Sequence, residues 1–171
     1  IEDVNVVCDD STEETSSETE YYESWLERTC DSLRRNDPTI EDLEIDSGNK
    51  ASNDEGIMAL FDALRKNEVV TRLIFRNVEM GKNASLYLTP LLKNTDSITT
   101  VHLEESGGEG QMAVAMALSL NTTSSIRVLH LKGNLIDPRS AQAIGLMLKA
   151  NRSLTELRLC HNAIDAESVS Y

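Results

Sequence analysis

The chain has 171 residues, a formal net charge of −13 at pH 7, a hydrophobic content of 40% and an aromatic content of only 4%. This length is sufficient for one domain with a substantial core, which the shortage of aromatic residues requires to be aliphatic. No window reaches the roughly 18 consecutive apolar residues of a membrane span, so we predict no transmembrane helix.

The negative charge is concentrated at the amino-terminal end. Residues 1–56 contain 18 of the 29 acidic residues and only 4 of the 16 basic ones. Nucleic-acid binding requires a basic stripe, and this end would repel phosphate, so we expect no nucleic-acid partner. The odd number of cysteines, 3, argues against a disulfide scaffold. It favours an intracellular, reducing compartment, with the cytoplasm first and an organelle as the alternative.

Six short stretches share one pattern of apolar residues. The first reads IEDVNV at residues 1–6 and the second reads IEDLEI at residues 40–45. Four more begin at Val70, Ile98, Ile126 and Leu154, at intervals of 28 residues. A fixed period of this kind is typical of a repeat architecture, in which each stretch forms a short strand beside the next one.

The second half of each unit has the periodicity of an amphipathic helix. Mostly apolar residues recur three, seven and ten positions before a recurring asparagine, which predicts a helix of about three turns. The recurring asparagines are Asn36, Asn67, Asn94, Asn121 and Asn151. We expect each to end its helix in the left-handed conformation. Pro90 should kink or shorten its helix, and the acidic segment 8–24 should be a mobile loop.

Two segments resemble the leucine-rich-repeat pattern L-x-x-L-x-L-x-x-N-x-L: SIRVLHLKGNLID at 125–137 and SLTELRLCHNAID at 153–165. The period and the full helix are similar to the ribonuclease-inhibitor subclass, which includes NOD-like receptor sensor domains, Ran GTPase-activating proteins and, more loosely, tropomodulins. The resemblance implies an α/β solenoid with about six parallel strands on the concave side and about five helices on the convex side. It also implies that the motif asparagines, Asn134 and Asn162, bond to the backbone of the adjacent repeat.

We expect a single repeat array over residues 1–171, as a fragment of a longer array. The chain begins on a strand and ends at the start of a helix, and neither end shows the polar capping repeat that an array needs. The expected repeats are residues 1–36 with the acidic insertion 8–24, then 37–67, 68–94, 95–121, 122–151 and a partial repeat at 152–171.

The strand residues between the apolar anchors should point to the concave face of the sheet. Their charge changes from acidic to basic along the array, which suits a protein partner of complementary polarity. The candidate binding residues are Glu41, Glu44, Asp46, Arg72, Arg76, His102, His130, Lys132 and Arg158. We expect the two histidines to be exposed and, with Glu104 and Cys160 nearby, to form no closed set of metal ligands.

The sequence contains no recognisable catalytic motif. SGGEGQ at 106–111 lacks the spacing of a phosphate-binding loop, and no nucleophile lies in an elbow motif. We therefore predict a non-catalytic protein-interaction module or scaffold, without a cofactor, and a place as a subunit of a larger complex fits this prediction. Three alternatives stay open: a Ran-type GTPase activator using Arg76, Asn77 or Asn134, a tropomodulin-like actin-capping domain, and the repeat domain of an immune sensor.

Overall fold

The computed structural model describes residues 5–7, 16–46, 54–78, 80–106 and 125–164. The strands are β1 (Asn5–Val7), β2 (Asp42–Asp46), β3 (Arg72–Arg76), β4 (Thr100–Glu104), β5 (Val128–His130) and β6 (Glu156–Arg158). The helices are α1 (Ser16–Arg34), α2 (Asp54–Leu64), α3 (Lys82–Asn94) and α4 (Pro138–Ala150). The helix that we expect before Asn121 lies outside the described residues.

The strands form one parallel sheet in chain order, from β1 to β6. Parallel neighbours require a crossover. The four described helices supply it on one side of the sheet for every pair except β4 and β5, whose connection lies outside the described residues. The register aligns equivalent positions of successive units in a single row: Asn5, Glu44, Ile74, His102, His130 and Arg158. The predicted α/β leucine-rich-repeat architecture is thus confirmed.

The core lies between the sheet and the helices. In β2 and β4, buried residues alternate with half-buried ones, so every second side chain points toward the helices. The central anchors Leu43, Leu73, Val101 and Leu129 are all buried in the same cluster as residues of every helix. At roughly 25 cal/mol per Å² of apolar surface removed from water, each interior unit is stabilised by contacts with neighbours on both sides.

The turns that follow the strands share a backbone conformation. Asn77, Glu105, Gly133 and His161 all have positive φ angles, between 52° and 70°, and each lies 28 residues from the next. This conformation reverses the chain direction at the edge of the sheet within a few residues. The repeat therefore fixes the turn geometry as well as the strand pairing.

The recurring asparagines act differently from our prediction. Only Asn36 is left-handed, with a φ angle of 55°, whereas Asn151 has a φ angle of −65°. The side-chain oxygen of Asn151 accepts hydrogen bonds from the backbone N–H groups of Ser153 and Leu154, at 2.9 and 2.7 Å. Asn67 accepts in the same way from the backbone N–H groups of Val69 and Val70. These asparagines close the turn into the next strand, while Asn121 lies outside the described residues.

The acidic segment 8–24 is not a loop throughout, because α1 already begins at Ser16. Acidic residues in the first turn of a helix interact favourably with the positive end of its dipole, and Glu18 lies in the first turn of α1. Trp25 is buried in the core and lies 5.7 Å from the ring of Tyr22. Residues 8–15 lie outside the described residues.

Pro90 does not shorten its helix. α3 continues past Pro90 to Asn94 and has 13 residues, as many as α4. Leu88, Leu91 and Leu92 are buried around the proline. Tertiary packing of this apolar face compensates for the backbone hydrogen bond that proline cannot donate.

Candidate functional site

The concave face is the side of the sheet that points away from the helices. Its acidic end is formed by β2, and the arginines of β3 lie directly beside it. Arg72 forms an ion pair with Asp42, and Arg76 forms one with Glu44. The Nε atom of Arg76 also lies 4.0 Å from Glu104 on β4. The predicted acidic end is therefore partly neutralised by its neighbours.

Asp46 is also held by the next unit. Its Oδ1 atom accepts a hydrogen bond of 2.8 Å from the side-chain amide of Asn77. The sequence predicted these carboxylates on the concave face from the strand period, but not their partners. Partners on the next strand depend on side-chain length and direction, which a hydrophobic pattern does not specify.

Two imidazole rings stack in the middle of the face. The rings of His102 and His130 are 4.0 Å apart between centroids and inclined by only 12°. His130 is buried, with 7% of its surface exposed, and its Nε2 atom lies 2.9 Å from the carboxylate of Glu156 on β6. The prediction that both histidines are exposed is wrong for His130, because His102 and Glu156 flank it on the two neighbouring strands.

These contacts shift two ionisation equilibria. Burial, followed by the neighbouring His130, lowers the pKa of His102 below its ordinary value. The hydrogen bond with His130 holds the pKa of Glu156 below its usual range, and Arg158 adds to this effect at 2.8 Å. His102 is therefore favoured as the neutral imidazole and Glu156 as the carboxylate.

Two predicted site residues stand apart from this network. Glu41 is exposed just before β2, and its carbonyl accepts a 2.8 Å hydrogen bond from the N–H of Thr71. Lys132 follows β5 and is half-buried, and its carbonyl accepts a 2.9 Å bond from the N–H of Glu105. Among the described residues, neither of the two charged side chains forms an ion pair.

Three metal-binding side chains converge at the histidine stack. One possible ligand atom each from His102, Glu104 and His130 lies within 4.8 Å of the others. The structure brings these three side chains near one another and leaves Cys160 apart from them; the sequence expectation that they form no closed set of metal ligands stays a prediction. The 28-residue period sets the histidines side by side, and the strand alternation puts Glu104 on the same face as His102.

The turns that follow the strands are linked by a ladder of hydrogen-bonded polar side chains, formed by Ser106, Asn134 and Asn162. Asn162 accepts a 2.8 Å bond from the N–H of Asn134 and donates one of 2.7 Å to the carbonyl of Leu131. Asn134 bonds in the same way to Ser106 and Leu103, which confirms the role that the resemblance implies. Ser106 continues the ladder, because its hydroxyl donates to the carbonyl of Phe75 at 3.1 Å.

The ladder bears on the GTPase-activator alternative. Asn134 is buried and fully engaged with the backbone, Arg76 is paired with Glu44, and Asn77 is bonded to Asp46. All three candidate residues thus stabilise the array itself.

Among the described helices, none is both long and apolar enough to cross a membrane.

Comparison with known proteins gives one sequence match and several structural ones. Human leiomodin-3 is 26% identical over 91 residues, which make up 52% of this chain but only 16% of leiomodin-3. No protein-family model matches. The chain therefore corresponds to a small part of that curated relative.

Two solved structures have the same architecture. A structure described as leiomodin-1 actin-binding site 2 matches with a TM-score of 0.72 and 18% identity, over 78% of both chains. The tropomodulin C-terminal domain of Caenorhabditis elegans matches with a TM-score of 0.69 and 15% identity, over 84% of this chain and 86% of that one. This chain has the fold of those two domains.

Proposed function

We propose that this chain is a non-catalytic protein-binding domain whose partner is actin. The observation that carries the proposal is the likeness in fold to the leiomodin-1 domain described as an actin-binding site, over 78% of both chains. The sequence match to human leiomodin-3 points to the same group of proteins. Among the alternatives considered, the tropomodulin-like domain is therefore the one that we favour.

The concave face is the binding surface in this proposal. It presents the pairs Asp42–Arg72 and Glu44–Arg76 along its acidic half. The side chains of both pairs remain partly exposed. Surface ion pairs contribute only about 0–1 kcal/mol each, so a partner with its own charges can exchange with them at little cost. Charges that follow the strands at fixed intervals also orient an approaching partner.

The remaining alternatives have less support. The Ran-type activator would use Arg76, Asn77 or Asn134, and all three are engaged within the array. The leiomodin and tropomodulin matches named above give no support to an immune-sensor array or to the ribonuclease-inhibitor subclass. We further propose an intracellular location, as actin binding requires, and a place for the chain as one array within a longer protein.

Sedimentation velocity with fluorescent monomeric actin tests this function. We expect added chain to shift the labelled actin to a faster, saturable species, because the folded array presents its docking face without a further component. Actin that sediments as free monomer at every chain concentration would contradict the proposal. GTP hydrolysis by a small GTPase, measured with and without the chain, serves as the control for the activator alternative.

A further inference from the structure

The histidine stack on the concave face has the composition of a metal site. His102 and Glu104 project from β4, His130 projects from β5, and their possible ligand atoms lie within 4.8 Å of one another. We propose that these three side chains bind a divalent transition-metal ion, with Zn²⁺ as the best fit. Two imidazoles and one carboxylate form a donor set that Zn²⁺ uses in proteins, with a fourth position left for water.

Coordination requires the side chains to move, because the near-parallel rings of His102 and His130 do not direct their lone pairs at one point. Tetrahedral Zn²⁺ with bonds of about 2.0–2.2 Å needs ligand atoms about 3.4 Å apart, roughly 1.4 Å closer than the widest separation found here. Both histidines lie on paired strands with His102 opposite His130, so the backbone already holds them at one level. Rotation about the side-chain bonds of His102 and Glu104, which are half-buried, supplies the remaining movement.

The buried histidine has a carboxylate partner of the kind that metal-binding histidines have. The Nε2 atom of His130 lies 2.9 Å from Oε1 of Glu156. A neutral imidazole that donates this proton to the carboxylate keeps a lone pair on Nδ1, which is the form that coordinates a metal. Carboxylates in this outer position fix the tautomer of metal-binding histidines and increase their basicity.

The buried Nδ1 atom of His102 also favours a metal site. This atom has no hydrogen-bond partner among the described residues. A buried polar atom without a partner costs free energy, and coordination of a metal ion would satisfy the lone pair.

The positive charge of Arg76 opposes the binding of a cation at this site. Arg76 lies 4.0 Å from Glu104, although it pairs more closely with Glu44. Its positive charge competes with the metal for the carboxylate of Glu104. We therefore expect Arg76→Gln to bind Zn²⁺ more tightly than the wild-type chain does, because Glu104 is then free to coordinate.

Imidazole NMR of the full chain provides a direct test, since the sequence has only 3 histidines. In metal-free buffer, we expect ZnCl₂ to shift the ring nitrogens of His102 and His130, with saturation at one ion per chain. His161, exposed in the turn after β6, should keep its signals. Calorimetric titration should show affinity weakened by at least about tenfold in His102→Gln and Glu104→Gln, the upper bound being total loss.

His161→Asn is the matched control, and it should bind Zn²⁺ as the wild-type chain does. The proposal is overturned if zinc leaves the His102 and His130 signals in place, if His161 shifts with them, or if both ligand variants keep full affinity. Melting curves without metal identify any variant that fails to fold, and the wild-type spectra then decide alone. Actin is absent throughout, so the outcome is independent of the proposed function.

Discussion

Gly133 shows how a single residue depends on the neighbouring repeat. It has a φ angle of +70°, and a β-carbon added to it would lie 2.7 Å from Cγ of Glu105. Equivalent turns carry Asn77, Glu105 and His161 in the left-handed region, so the conformation alone does not require glycine. The close approach of Glu105 is the further reason why this position needs a residue without a β-carbon.

We expect Gly133→Ala to lower the free energy of unfolding by about 1–3 kcal/mol, from the left-handed backbone and the crowded contact together. Urea denaturation measures this change. Repeating the substitution on a Glu105→Ala background, which removes Cγ, should recover part of the loss. Equal losses on both backgrounds would show that Glu105 is not responsible.

Gly145 provides a control of opposite sign. It lies within α4, and an added β-carbon would meet no atom within 4 Å. Gly145→Ala should therefore raise the free energy of unfolding by about 0.5–1 kcal/mol through helix propensity. A loss of stability at Gly145 would contradict the open space that the structure assigns to this position.

At the scale of elements, the start of α4 depends on an ionised side chain. Asp137 accepts a 2.8 Å hydrogen bond from the backbone N–H of Ser140, and its hydrogen bonds with Ser140 hold its pKa below the ordinary value. A group whose pKa is lowered by folding stabilises the protein above its unfolded pKa, about 3.9 for aspartate. That contribution is lost as the pH falls through the lower, folded value.

Asp137→Asn removes the negative charge but keeps a side chain that can cap the helix, because asparagine is also a good N-cap residue. The variant should melt below the wild-type chain at about pH 6, and the difference should shrink as the pH falls below the unfolded pKa of about 3.9 and through the lower, folded pKa. Melting temperature as a function of pH measures this effect. A difference that does not change with pH would mean that the charge of Asp137 contributes nothing.

The asparagine ladder joins one repeat to the next. Asn134 is 3% exposed and bonds to the backbone at Ser106 and Leu103. Asn134→Ala leaves both buried backbone groups without this partner, so we expect a loss of about 3 kcal/mol in urea denaturation. Asn94 is exposed, and among the described residues its side chain bonds only to the carbonyl of Pro90 in its own helix, so Asn94→Ala should cost less than about 1 kcal/mol. Similar losses in both variants would contradict the ladder's role.

The strands were predictable because their apolar anchors recur, every 28 residues from Val70 onward, whereas the connections were less predictable. Asn67 and Asn151 recur as the pattern indicates, but they close turns through side-chain bonds instead of adopting the left-handed conformation. Ser106 continues the ladder with a hydroxyl where the motif has an amide. The recurring position of an asparagine indicates where a helix ends. The hydrogen bonds of its side chain depend on which backbone groups the tertiary structure brings near it.

At the scale of the whole molecule, the strand period also predicted which side chains line the concave face. His102 and His130 do lie side by side, as their spacing indicates. The burial of His130 was not predictable, because it results from Glu156 on a strand further along and from the stacked ring of His102. Local sequence specifies the direction of a side chain, and its neighbours on adjacent strands specify its environment.

The central claim is that the concave face binds the partner, and an exchange of charges tests it while preserving the fold. Asp42→Arg combined with Arg72→Asp keeps an ion pair between β2 and β3, since the two residues are in register. Stability should change by less than about 1 kcal/mol. A partner would nevertheless meet the two charges in reversed order.

Asp62→Arg combined with Arg65→Asp is the matched exchange on the helical side, where these exposed residues form an ion pair at 3.6 Å. The deciding measurement is the affinity of monomeric actin for the wild-type chain and the two exchanged variants. We expect the exchange on the concave face to weaken binding about tenfold, equivalent to about 1.4 kcal/mol, and the helical exchange to leave it unchanged. Equal affinity for all three proteins, or an equal loss in both variants, would contradict the assignment of the concave face.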